Sequence, residues 1–270
     1  MEKEEILKKY TKHEDKILVS KLFDKIKSVD TKNIIEHTSF LDGYQRKILE
    51  EILNKLHYKN YIFYGGYEEA ERKILILYPQ KLEEYIKSNL NKVFNTVVTV
   101  LNIKLPNELK GKYKHRDYLG GILKLGVKRE KIGDILVTED GADIIINKDI
   151  EKFLLNEIKI LTRFAKSEIG IKSVEELKNV EIKTEKVEIV VMQERLDSVV
   201  AEILKCSRTN ANKIIEDERV FVNYENIVKS SKVLKQGDLL TIRGKGRFKI
   251  GEIINNTRKG KLVIEIEKYV

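Results

Sequence analysis

The sequence predicts an α+β protein built from three small domains: residues 1–78, a mixed helical domain; 79–192, a sheet domain; and 193–270, a compact helix-and-strand domain. Three observations carry this expectation. Apolar residues recur at helical spacing as far as Leu56 and then give way to aromatic and β-branched runs. Between residues 96 and 191 the patterns run strand, helix, strand, strand, helix, strand. After residue 195, two short helical patterns precede a series of short strands. A chain of 270 residues is long enough for two to three such units, each with a core of its own.

In the first domain, Ile6, Tyr10, His13, Ile17 and Phe23 roughly follow a 3.6-residue period and predict a helix over 2–27. Thr38, Ser39 and Asp42 suit a helix start or turn. Ile48, Leu49, Ile52, Leu53 and Leu56 form the apolar stripe of a second helix over 44–56. Strands are expected at 58–64 and 72–78, with Gly65-Gly66 as a turn between them and Pro79 as the stop. A join near Asn91 leads to the second domain. There, strands are expected at 96–103, 132–137, 141–147 and 185–192, with helices at 116–125 and from an Asp149 cap to about Ile160. That order is the split βαβ, or ferredoxin-like, arrangement, shared with the RNA-recognition module. The third domain begins after a short join near Gln193. Leu196–Leu204 reads as a helix, and Ser207 caps a second one reaching Glu216. Strands follow at 220–222 and 239–243, then a closing hairpin of 248–254 and 262–266 around Asn255-Asn256. Asn223 and Gln236-Gly237-Asp238 mark turns.

Charge is distributed unevenly. The formal net charge is +9. Residues 1–95 hold 18 bases against 16 acids, residues 96–192 the same, and residues 193–270 hold 16 against 11. More than half of the excess therefore lies in the shortest segment, and a local excess is what attracts phosphate. Abundant Lys, Ile and Asn also fit a compositional bias toward AT-rich codons. No apolar run approaches the roughly 20 residues of a spanning helix, and the opening MEKEEILKKY lacks the apolar segment of a signal peptide. A single cysteine excludes an internal disulfide framework. A cytoplasmic monomer is the expectation.

Two groups of bases mark candidate RNA contacts in the last domain. Arg195, Lys205, Ser207, Arg208, Lys213 and Arg219 lie on or beside the two helices, and helix-start amides favour an anion. Arginine forks can grip a phosphate through two parallel hydrogen bonds. Arg243, Lys245, Arg247 and Lys249 alternate within seven residues, with Gly244 and Gly246 allowing a tight loop. A solvated hairpin connection is the plain alternative for this loop. Phe248 either stacks on a base or fills the core, and its place between charged neighbours in a strand favours the core. In the middle domain, His115 and Arg116 stand at a helix start, and Lys128, Arg129 and Lys131 follow it. His115 reads as a phosphate contact or backbone cap in preference to a metal ligand or a base beside Asp117. The strand 141–147 has no aromatic residue, so base stacking of the RNA-recognition type is not expected there.

The C-terminal unit resembles the S4, or alpha-L, RNA-binding domain. The likeness lies in Arg195-Leu196-Asp197, Ser207-Arg208, Val220-Phe221-Val222-Asn223 and Gly237-Asp238 before Leu239. It implies contacts to structured RNA from Arg195, Ser207, Arg208, Lys213, Arg219 and Asn223, with Asp197 in a structural role. Along its full length the chain resembles the YlmH family of bacterial proteins. The stretches His115-Arg116-Asp117-Tyr118-Leu119-Gly120, Gly126 to Asp134 and Phe63 to Lys73 carry that resemblance. It implies a non-enzymatic, ribosome-associated protein that binds ribosomal RNA, with the large subunit and tRNA or peptidyl-tRNA as partners, in quality control of stalled translation. Some relatives are linked to cell division.

Catalytic motifs are not expected. Four histidines and one cysteine show no zinc-ligand spacing. There is no Walker loop or complete dinucleotide fingerprint. Cys206, between two helices, reads as a small apolar residue before a nucleophile. No metal and no cofactor are expected. A division-associated scaffold and an RNA-modifying enzyme remain the competing readings.

Overall fold

The computed structural model describes residues 3–177 and 184–269. Its contacts divide the chain into two compact units, Met1–Val180 and Glu181–Val270. The architecture is multi-domain α+β, with an N-terminal helical region, a middle sheet domain and a C-terminal domain of two helices on a sheet. Among the described residues, no helix is long and apolar enough to cross a membrane.

The first unit opens with α1 (Lys3–Leu7) and α2 (His13–Lys32), not one helix over 2–27. A continuous helix would hold Lys3 and Asp24 roughly 30 Å apart. The break lets α1 fold back, so that Lys3 Nζ reaches Asp24 at 2.8 Å and Ile6 enters the core with Val19 and Leu22. β1 (Glu36–His37) follows, then α3 (Gly43–Lys55). Asp42 and Gln45 form a reciprocal capping box at the start of α3. β2 (Tyr61–Tyr64) and β3 (Ile74–Leu77) complete an antiparallel sheet in the order β1-β3-β2, whose central strand is wholly buried.

The expected join near Asn91 is instead helical: α4 (Glu83–Ser88) and α5 (Leu90–Val97). Val93 and Phe94 of α5 pack with Phe40, Ile74, Ile76, Val98, Val100 and Ile145, so the N-terminal and middle sheets share a core.

β4 (Val98–Lys104), α6 (His115–Lys124), β5 (Ile132–Thr138), β6 (Gly141–Asn147), α7 (Glu151–Glu157) and β7 (Glu168–Lys172) build the middle sheet, ordered β5-β6-β4-β7 and antiparallel throughout. This is the ferredoxin-like order, with one correction. The fourth strand is β7, a short and partly exposed run containing Gly170, not residues 185–192. A second correction concerns Asp149. It does not cap α7; its carboxylate accepts from Lys131 Nζ.

The second unit begins with β8 (Thr184–Val191), the strand expected in the middle sheet. It pairs instead with β13 (Leu262–Tyr269) in unbroken register from Leu262↔Val191 to Tyr269↔Thr184. Between them in sequence lie α8 (Leu196–Leu204), α9 (Arg208–Glu216), β9 (Val220–Val222), β10 (Glu225–Asn226), β11 (Leu239–Ile242) and β12 (Gly246–Asn256). The six strands run β10-β9-β11-β12-β13-β8. The residues facing α8 and α9 bury Ile189, Val191, Val222, Leu240, Ile242, Phe248, Ile250, Ile264 and Ile266, which places Phe248 in the core. Cys206 is partly buried against the same core. The hairpin between β12 and β13 turns at residues 257–260, not at Asn255-Asn256. Gly260 adopts the left-handed φ of 73° that this turn needs.

Candidate nucleic-acid interface

The helix starts of the C-terminal domain converge on one buried carboxylate. Asp197, 2% exposed, accepts from Arg195 Nε at 3.2 Å, Arg195 Nη2 at 2.9 Å and Arg208 Nη2 at 2.8 Å. The Ser198 amide adds a bond at 2.8 Å. Burial pushes this carboxyl's pKa up, but the bonds from Arg195 and Arg208, the Arg208 charge and the Ser198 amide outweigh it and bring it down to about 2. Asp197 is therefore ionised at neutral pH. It orients two guanidinium groups while cancelling only one of their two charges. Much of the Arg208 side chain stays in solvent, so its remaining donors point away from the protein.

The two helix starts are not equivalent. In α8 the amides of Leu196 and Asp197 are taken by the carbonyls of Lys232 and Ser230, so this start is closed to an anion. In α9, Ser207 Oγ accepts from the Asn210 amide at 3.2 Å, as its N-cap position requires. Arg208 occupies the first helical position and is exposed.

A second group lies where α9 hands over to the sheet. Arg219 Nη2 donates to the Arg243 carbonyl at 3.1 Å, and the Arg243 amide donates to the Arg219 carbonyl at 2.9 Å. Gly244 and Gly246, at φ 76° and 123°, close the loop that carries exposed Lys245. Arg243 Cζ sits 4.8 Å from the Phe221 ring centroid, and Arg247 Cζ 4.9 Å from that of Tyr269. Lys249 is exposed, one register step along from Arg247.

The cations thus form two contact groups, at either end of α9, whose nine residues span roughly 13 Å. Exposed Lys213 lies between the two groups on α9. Lys205 ends α8 with a left-handed φ of 49° and pairs with Glu202. Asn223 is exposed; its Nδ2 donates to Asp238 at 2.7 Å and its Oδ1 accepts from the Leu239 amide at 2.9 Å, which braces β9 against β11. Phe221 and Tyr269, the rings under these guanidinium groups, were not among the residues expected at the site. Their positions opposite buried neighbours in alternating strands were the available signal.

In the first unit, His115 and Arg116 are exposed at the start of α6, where Asp117 accepts from the Lys114 amide at 2.9 Å. Arg163 donates to the Asp117 carbonyl and lies over the Tyr113 ring, bracing that helix start. Lys128 is exposed and Lys131 is held by Asp149. Arg129 is half-buried, and its Nη1 donates inward, to the carbonyls of Ile132 and Gly133. Burial brings its pKa down to about 10, still charged at neutral pH. The sheet face that stacks bases in RNA-recognition modules is occupied here. Val98, Val100 and Ile145 are buried against the N-terminal sheet, and Asn102, Asp143 and Lys172 bond to one another on the rest.

Residues 97–178 match the family model described as "Putative RNA-binding domain in YlmH", and residues 194–240 match the S4 domain model. Over 234 residues the chain is 30% identical to the "Ribosome-associated protein quality control protein P2" of Bacillus subtilis (strain 168), covering 86% of each. The chain belongs to the YlmH family. A structure titled "Cell division protein ylmH from Streptococcus pneumoniae" aligns with a TM-score of 0.45 at 21% identity, over 63% of this chain and 98% of that one. In YlmH terms, both matched regions are RNA-binding modules, and the Asp197 arginine clamp lies inside the S4 match. Among the described residues, no group of three or more His, Cys, Asp or Glu could hold a metal ion.

Proposed function

We propose that this protein binds structured RNA of the large ribosomal subunit, and tRNA held there, as a non-catalytic factor in the quality control of stalled translation. The observation that carries the reading is the clamp of Arg195 and Arg208 on buried Asp197. It presents a pre-oriented guanidinium at an α9 start within the S4 match, in a chain that aligns along 86% of a ribosome-associated quality control protein. Pre-orientation reduces the entropy lost on gripping a phosphate. His115, Arg116 and Lys128 of the middle domain add backbone contacts by charge and shape, because its sheet offers no stacking surface. The protein acts in the cytoplasm as a monomer.

Co-sedimentation with large ribosomal subunits, followed by crosslinking and identification of the crosslinked nucleotides, tests this. The expected crosslinks fall in ribosomal RNA or tRNA and are lost with Arg208→Ala and Arg247→Ala. Undiminished ribosome association in that double variant removes the proposed face.

A further inference from the structure

We propose that the outer face of the C-terminal sheet is a second RNA subsite, which stacks unpaired bases. The proposal rests on the RNA-binding reading above but adds residues and a mode of contact that reading does not contain.

Strand alternation defines the face. Val220, Val222, Leu240, Ile242, Phe248 and Ile250 point to the core, so Phe221, Thr241, Arg247 and Lys249 point the other way. The register sets Phe221, Thr241 and Arg247 side by side on three neighbouring strands. Arg247 lies over Tyr269 of the next strand, and Arg243 leaves the end of β11 to lie over Phe221. The row from Phe221 to Tyr269 therefore crosses four strands, roughly 14 Å at ordinary strand spacing. It holds two half-buried rings, each covered by a guanidinium, with small Thr241 between. Acids of this face stand further along β13 and β8: Glu265 bonds to Lys186 and pairs in register with Glu188, and Glu267 stands opposite Lys249.

A planar cation on an aromatic ring keeps its outer face available. Every base has a π-face that can lie on such a plane, and the positive charge draws in the adjoining phosphates. Bases within a duplex hide those faces from protein. The chemistry therefore selects single-stranded RNA, whereas the Arg208 helix start suits the backbone of a folded one.

The test uses the full chain and two fluorescent probes, a uridylate dodecamer and a perfectly paired RNA duplex of equal length, read by anisotropy across a salt series. Two double variants keep every charge: Phe221→Leu with Tyr269→Leu, and Arg243→Lys with Arg247→Lys. Each is expected to lose single-strand affinity by about five- to a hundredfold, and the leucine pair does so with an unchanged salt slope and unchanged duplex binding. The lysine pair changes only surface side chains, so its result does not depend on core packing. Wild-type single-strand affinity in the lysine pair, or parallel losses on both probes in the leucine pair, overturns the stacking face. If the chain binds the duplex and Arg208→Ala weakens that, yet the single strand is not held, only the stacking face fails. Binding of neither probe removes the RNA-binding reading as well.

Discussion

The Tyr67 hydroxyl donates to Asp134 Oδ2 at 2.7 Å and so ties together two stretches that are 67 residues apart in sequence. The same carboxylate accepts from the amides of Glu71 and Arg72, at 2.7 and 3.0 Å. Arg72 in turn donates to the carbonyls of Ile132 and Phe40, both at 3.0 Å. Gly133 lies so close to the Phe40 ring that a Cβ there would come within 2.7 Å of it. The two segments that carry much of the family likeness, Phe63–Lys73 and Gly126–Asp134, thus meet as the polar seam between the N-terminal and middle sheets. Their shared residues serve architecture first.

Asp134→Ala is expected to destabilise the first unit by about 2–4 kcal/mol. It leaves three donors unmet and takes from two partly buried arginines, Arg72 and Arg129, one of the acids that support their charge. Denaturant unfolding measures the loss. A change below about 0.5 kcal/mol means that the seam contributes little.

Asp197→Asn separates positioning from charge. Removing an acid raises net positive charge, so simple attraction predicts tighter RNA binding. The clamp predicts weaker binding, because Arg195 and Arg208 lose their shared anchor. Anisotropy with a structured RNA decides between them, and tighter binding counts against the clamp.

Asp197 also sets a pH dependence. Its pKa is depressed from the ordinary 3.8 of an aspartate to about 2, so the folded state favours the ionised form. The associated stability is fully present above about pH 4 and is lost as pH falls toward about 2, by on the order of 2 kcal/mol. In Asp197→Asn that portion of the acid titration should vanish, as read by thermal unfolding between pH 5 and pH 2 (about the range that brackets both values).

Arg208→Ala and Arg129→Ala should behave oppositely. Loss of exposed Arg208 is expected to lower the logarithmic salt slope of RNA binding by about 0.7 to 0.9 while leaving the fold intact. Loss of Arg129, turned toward main-chain carbonyls, should leave that slope unchanged and lower the melting temperature. An altered salt slope in Arg129→Ala restores it to the interface.

Tyr118 is fully buried between Tyr113 and Phe164, and its hydroxyl has no hydrogen-bond partner among the described residues. Burial pushes its pKa up to about 12. Tyr118→Phe keeps the stacked ring and removes an unmet polar group. It is expected to be neutral or to stabilise by about 1 kcal/mol, measured by denaturant midpoint. A loss of more than about 1 kcal/mol would reveal a partner for that hydroxyl.

What the sequence determined by itself is the local part of this protein. The bounds of α8 follow from its apolar spacing, the Ser207 cap from a hydroxyl before a helical run, and the burial of Phe248 from strand alternation. Each depends on residues within a turn or two of one another. The partner of β8 did not follow. Val187, Ile189 and Val191 alternate equally well for either sheet, and only the long register with β13 assigned them to the S4-type domain. The fates of the cations were likewise decided in three dimensions. Arg208, Asn223 and Arg129 read alike as polar residues near turns. Arg208 keeps most of its side chain in solvent with one nitrogen on Asp197, Asn223 bonds with Asp238 and Leu239, and Arg129 turns toward the carbonyls of Ile132 and Gly133; periodicity carries no record of which partner each side chain meets.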